Sequence, residues 1–138
     1  MDNKLANAIM EDELYQVYSI VKGGIDLNEI DKSGKTPLML AVEFENIRLV
    51  ELFITLGADI NVSGHQGFTA LHHAVDVSID GTIQNGGEQG EEPLSIISFL
   101  IENGADLSAT TDEGKTPLDL ATNYKAHKVM EFLSATKP

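Results

Sequence analysis

The groups with the richest chemistry in this 138-residue chain are three histidines and one acidic segment. His65, His72 and His73 form an H-x6-H-H set, and imidazole nitrogens ligate zinc and act as general bases near neutral pH. Neighbouring residues on a helix diverge by about 100°, so His72 and His73 cannot both aim at one ion from a helix. The segment from Ile79 to Glu92 holds Asp80, Asn85, Glu88, Glu91 and Glu92, oxygen donors of the kind calcium takes, but without the alternating spacing of an EF-hand loop. Gly34-Lys35-Thr36 and Gly114-Lys115-Thr116 end like a phosphate-binding loop and lack its opening glycine. There is no cysteine, which excludes thiolate nucleophiles, thiolate zinc sites and disulfides. No catalysis and no cofactor are expected. A calcium- or zinc-responsive switch through residues 79–92 or the histidines is the alternative to a purely binding role.

The elements that carry these groups announce themselves by repetition. Gly34-Lys35-Thr36-Pro37-Leu38-Met39-Leu40-Ala41 returns as Gly67-Phe68-Thr69-Ala70-Leu71-His72-His73-Ala74 and as Gly114-Lys115-Thr116-Pro117-Leu118-Asp119-Leu120-Ala121. A second phrase, Gly57-Ala58-Asp59, returns as Gly104-Ala105-Asp106. Phrases recurring in fixed order mark one structural unit copied along the chain. Thr36 is placed to cap a helix whose first residue is Pro37, where a missing N–H costs nothing. Leu38, Ala41 and Val42 give that helix a short inner stripe. A second helix, Ile47 to Leu56, is apolar around much of its circumference and needs cover on both flanks, as stacked units would supply. Gly57 ends it in the left-handed conformation.

The first two threonines lie 33 residues apart and the next two 47, so the third unit holds 14 extra residues. Its first helix is expected over Ala70 to about Val77 and its second from Pro93-Leu94 to Asn103. The surplus then falls at about 79–92, a Gly-rich acidic stretch expected to be a mobile loop, since it cannot bury enough apolar area to offset its ordering entropy. Residues 1–30 read as a worn N-terminal capping unit, 31–63 as the cleanest unit, 64–110 as the interrupted one, and 111–138 as a C-terminal cap, all in one domain.

Nine Lys and Arg face 22 Asp and Glu, a net charge of -13. Such a balance disfavours nucleic acid and anionic membrane surfaces, which need clustered cations, and steers association toward a basic partner. No stretch of about 20 apolar residues is long enough for a transmembrane helix, and the N-terminus lacks a signal-peptide pattern. A soluble, cytoplasmic monomer is expected.

The 33-residue period, Thr-Pro-Leu opening a helix, paired short helices and the closing Gly-Ala-Asp resemble ankyrin repeats over about residues 3–134, apart from the extra segment. The resemblance implies an all-α solenoid of antiparallel helix pairs with β-hairpin-like loops projecting from one edge, first helices on the concave side. It also implies a non-enzymatic protein-binding role. Mapped onto this chain, the contact positions are Lys32, Ser33, Lys35, Glu43 and Phe44 in the second unit. In the third they are His65, Gln66, Phe68, Asp76 and Val77, and in the fourth Asp112, Glu113, Lys115, Asn123 and Tyr124. Phe44, Phe68 and Tyr124 are the expected anchors, because aromatic side chains dominate interface energy. Asp76, Asp80, Glu88, Glu91 and Glu92 would add an acidic rim. A small inhibitor or immunity-type protein acting on a basic enzyme is one form such a binder takes. The family's loop-bracing histidine is present as His72, with Met39 and Asp119 in its place elsewhere, so looser loops are expected beside those two. Ala70 replaces proline, and Gly64 stands where the second unit has Asp31.

Overall fold

A computed structural model of the protein describes residues 3–84, 94–124 and 127–135, and the side chains of 4–77, 94–124 and 129–135. The described residues fold into α1 (Asn3–Met10), α2 (Leu14–Lys22), α3 (Pro37–Glu43), α4 (Ile47–Thr55), α5 (Ala70–Gln84), α6 (Ser95–Glu102), α7 (Pro117–Asn123) and α8 (His127–Ala135), without strands. Each odd-numbered helix packs against the even-numbered helix that follows it, and the odd-numbered helices stack in a row, α1 on α3, α3 on α5 and α5 on α7. That row is close because Ala8, Ala41, Ala74 and Ala121 recur at one register position and are all buried. A methyl group there lets neighbouring helices approach at the short end of ordinary interaxial distances.

Helix starts follow the expected chemistry. The Thr36 hydroxyl accepts from the Met39 amide at 3.2 Å, and the Thr116 hydroxyl from the Asp119 amide at 3.1 Å, each with proline at the first helical position. The Asn46 side chain opens α4 by accepting from the Leu49 amide. Between units, Leu38, Val42, Leu49, Val50, Phe53, Leu71, Val75, Ile97 and Leu100 form one continuous buried core.

One boundary differs from expectation. The first helix of the third unit does not stop near Val77; α5 runs on to Gln84, so residues 79–84 are helical rather than loop. In the second unit the chain leaves its helix at Glu45, which has positive φ, and Asn46 restarts it. The third unit has Ser78 and Ile79 at those positions, with no side chain of that restarting kind, so nothing interrupts the hydrogen-bond ladder. Residues 85–92 of the expected loop lie outside the described residues, as do Asn85, Glu88, Glu91 and Glu92.

Candidate functional site

Hairpin loops form the edge that precedes α3, α5 and α7. Their closure is backbone pairing at one register: the Asp31 amide donates to the Lys35 carbonyl, Gly64 to Phe68, and Thr111 to Lys115, each at 2.9 Å. Asp31 stiffens its loop further, accepting from the Ser33 hydroxyl and the amides of Ser33 and Lys35. Burial pushes the Asp31 carboxyl up, but these hydrogen bonds and the Lys35 charge outweigh it and hold the pKa below the usual carboxylate range. Loops also bond to their neighbours. The His65 amide donates to the Gly34 carbonyl at 2.8 Å, and the Asp112 amide to the Gln66 carbonyl at 2.9 Å. At a lower tier, the Asn28 side chain accepts from the Asp59 amide and the Asn61 side chain from the Asp106 amide, both at 2.8 Å.

The expected contact residues occupy two bands. Along the hairpin edge, Lys32, Ser33, His65, Gln66, Asp112 and Glu113 are exposed, while Lys35, Phe68 and Lys115 are half-buried. Along the opposite edge, where odd-numbered helices turn into even-numbered ones, Glu43, Phe44, Asn123 and Tyr124 are exposed and Asp76 and Val77 half-buried. Phe44 is 45% and Tyr124 51% exposed, and both sit one residue past the end of their helix, α3 and α7. Phe68 is engaged within the fold. Its ring packs on His72 and His73 at centroid distances of 5.5 and 5.3 Å. Lys35 and Glu43 pair with each other at 2.7 Å, a contact that spans the length of α3 and that sequence spacing of eight residues does not announce. The bands differ in charge: the hairpin edge sets Lys32, Lys35 and Lys115 against Asp31, Asp112 and Glu113, while the turn edge carries Glu11, Asp12, Glu43, Glu45 and Asp76.

The three histidines do not converge, and among the described residues no group of three or more His, Asp or Glu side chains is placed to hold a metal ion. His65 is exposed at a loop tip. His72 is fully buried with both ring nitrogens in use: Nδ1 accepts from the Thr69 amide at 3.1 Å and Nε2 donates to the Lys115 carbonyl at 2.9 Å. That network assigns the tautomer. It braces the fourth unit's loop, as the resemblance implies. Burial lowers the His72 pKa, against the opposing bond to Lys115. His73 takes the register position of Leu40 and Leu120. Its Nε2 is shielded with no hydrogen-bond partner among the described residues. Burial first, then the charge of Lys35, hold its pKa down at about 4, with Glu43 opposing. One backbone feature escaped sequence reasoning: Asp12 and Glu45 are non-glycine residues at φ 56° and 55°. Both fall at one register position, 33 residues apart, which was the available signal.

A family profile described as ankyrin repeats (3 copies) matches residues 5–83, and a single ankyrin repeat profile matches residues 66–112. The chain therefore belongs to the ankyrin-repeat family. It is 29% identical over 118 residues to the B-cell lymphoma 3 protein homolog of Mus musculus, covering 85% of this chain and 22% of that protein. It is 31% identical over 129 residues to the BRCA1-associated RING domain protein 1 of Caenorhabditis elegans, covering 92% and 16%. The crystal structure of the ankyrin repeat domain of Bcl-3 superposes with a TM-score of 0.75 at 29% identity, covering 94% of this chain and 50% of that one. The chain thus spans a quarter or less of these curated relatives. Ankyrin repeats are an interaction scaffold, and no helix among the described residues is long and apolar enough to cross a membrane.

Proposed function

We propose that this chain binds a partner protein along the side formed by its odd-numbered helices, between the hairpin tips and the acidic turn edge. The observation that carries the reading is the paired placement of Phe44 and Tyr124. Two large aromatic side chains stand exposed at equivalent positions of two units, where a solvated surface has no use for them and an interface does. Lys32, Ser33, Lys35, His65, Gln66, Phe68, Asp112, Glu113 and Lys115 supply the hairpin side of that surface; Glu43, Asp76, Val77 and Asn123 supply the other.

The net charge of -13 and the acidic turn edge favour a basic partner, whose association is steered and salt-dependent. The role we assign is a non-enzymatic, monomeric, cytoplasmic binder of inhibitory or immunity type. The test is a partner isolated by affinity capture at low salt and measured against purified variants. Tyr124→Ala and Phe44→Ala are expected to weaken binding roughly 5- to 30-fold each with unchanged far-UV circular dichroism. Phe68→Ala is a poorer probe, because that ring also packs on His72 and His73. Undiminished binding by both exposed-aromatic variants would place the interface elsewhere.

A further inference from the structure

At the turn edge, between the second and third units, lies a pocket of about 220 Å³. Val42 of α3, Ile47 of α4, Ala74 and Val77 of α5 and Ile96 of α6 give it mostly apolar walls, and Glu45 and Ser95 are its polar lining. The helix end that presents Glu45 is a Schellman turn, with the Glu45 amide bonded to the Val42 carbonyl at 2.9 Å and the Asn46 amide to Ala41 at 3.0 Å. The residue between needs positive φ, a place glycine fills at little cost and a long side chain resists. The end of α4 uses Gly57 there. The end of α3 uses Glu45 at φ 55°.

Asp12 offers a control within the same molecule. It occupies the same turn position at φ 56°, but aspartate tolerates this region better than glutamate, and its carboxylate accepts from the Asn46 side chain at 2.7 Å, tying the first unit to the second. The residue that would do the same for Glu45 is Ile79, which has no donor. Among the described residues no hydrogen bond or ion pair engages the Glu45 carboxylate. A strained backbone position that holds an unengaged anion over an apolar recess points to function rather than to folding.

We propose that this pocket is a subsite for one arginine or lysine side chain of a partner protein, its aliphatic stem lying against Ile47, Val77 and Ile96 and its charged head on Glu45. The chemistry of the lining selects the occupant, since apolar walls with a single carboxylate fit a side chain that is hydrocarbon for most of its length and cationic at its end. The inference deepens the protein-binding reading and rests on it. It adds a basic side chain to the partner's description and a site beyond the aromatic band.

The test needs no partner. The full chain, labelled with nitrogen-15, is titrated with n-butylguanidinium and, separately, with 1-pentanol, and amide shifts are followed. The expected result is a saturable change centred on residues 42, 47, 74, 77 and 96 with butylguanidinium, weakened tenfold or more in Glu45→Gln. Glu45→Gly is expected to lose the site while raising the melting temperature, because it removes the strained side chain. Equal binding by wild type and Glu45→Gln, equal shifts with 1-pentanol, or no localised shifts would each overturn the proposal. Failure here leaves the aromatic surface standing, since that surface is read separately by the Phe44 and Tyr124 variants.

Discussion

The junction between the second and third units packs α3 on α5, that between the third and fourth α5 on α7, and the two are fastened differently at the helix starts. Met39, His72 and Asp119 share one position, and each side chain accepts from the threonine amide three residues earlier: Met39 Sδ at 3.5 Å, His72 Nδ1 at 3.1 Å, Asp119 Oδ2 at 2.9 Å. Capping the helix start is therefore within reach of a thioether, an imidazole or a carboxylate. Bridging to the next loop takes a second polar atom on the far side of the group, and of these three the bridge is seen for His72. At the earlier junction the loops close by backbone contact without that bridge. Gly34, at φ 79°, lies so near His65 that a β-carbon would collide with the His65 β-carbon and come within 2.9 Å of its amide nitrogen. Both junctions thus close backbone against backbone, Gly34 on His65 and Gly67 on Asp112, and the later one adds the His72 side-chain bridge. In a solenoid each junction contributes separately to stability, so the two can be broken one at a time.

Gly34→Ala is the harshest test. It forces an alanine into the left-handed region and into His65, with an expected loss of about 2–4 kcal/mol, read as a fall in the chemical-denaturation midpoint. A loss below about 1 kcal/mol would mean the hairpins separate easily. His72→Met, which copies the earlier junction into the later one, leaves the Lys115 carbonyl without its side-chain donor and is expected to cost about 1–3 kcal/mol. Hydrogen exchange should show lost protection in α7 and α8 with α3 and α4 little changed. Uniform loss across the chain would contradict independent junctions.

His73 makes the comparison pH-dependent. Its folded pKa of about 4 lies below the ordinary histidine value of 6.5, so the unfolded chain takes up a proton that the fold refuses. The stability it protects is complete above pH 6.5 and is lost as pH falls toward 4, by an amount on the order of 2 kcal/mol. Lys35, Glu43 and His72 are the charged or titratable groups acting on it. Asp31 and Asp119 have lowered pKa values and lose stability on the acid side as well, so the informative quantity is the difference between wild type and His73→Leu. That difference should vary with pH between 6.5 and 4; a flat difference would show that His73 protonates freely in the fold. The smallest effect is expected from Met39→His, which offers the earlier junction a donor toward the Phe68 carbonyl. A gain of about 0.5–1.5 kcal/mol would show that the two junctions are interchangeable, and no gain would show that the Gly34–His65 contact has already taken the bridge's place.

Much of this architecture was legible from local chemistry. Thr36, Pro37, Thr116 and Pro117 start helices, Gly57 stops one, and His72 braces a loop, because each effect is settled within a few residues or repeats at a fixed register. The extension of α5 to Gln84 was not, since a helix end depends on a stop signal and the third unit lacks the one at Glu45 and Asn46. The Lys35–Glu43 pair and the shielding of His73 depend on how two units stack, which spacing along one helix does not encode. The strain at Glu45 left a trace, the alignment of Asp12 with Glu45, that acquires meaning only with backbone angles.

The position of the 14 additional residues of the third unit has a practical consequence. They begin at the turn-edge end of α5, which takes 79–84 into the helix, and the His72–Lys115 bridge closes all the same. The distance along the chain and the distance across the stack are uncoupled at that edge. Extra length added at this turn therefore leaves the hairpin junctions, set by the stacking of α5 on α7, in place.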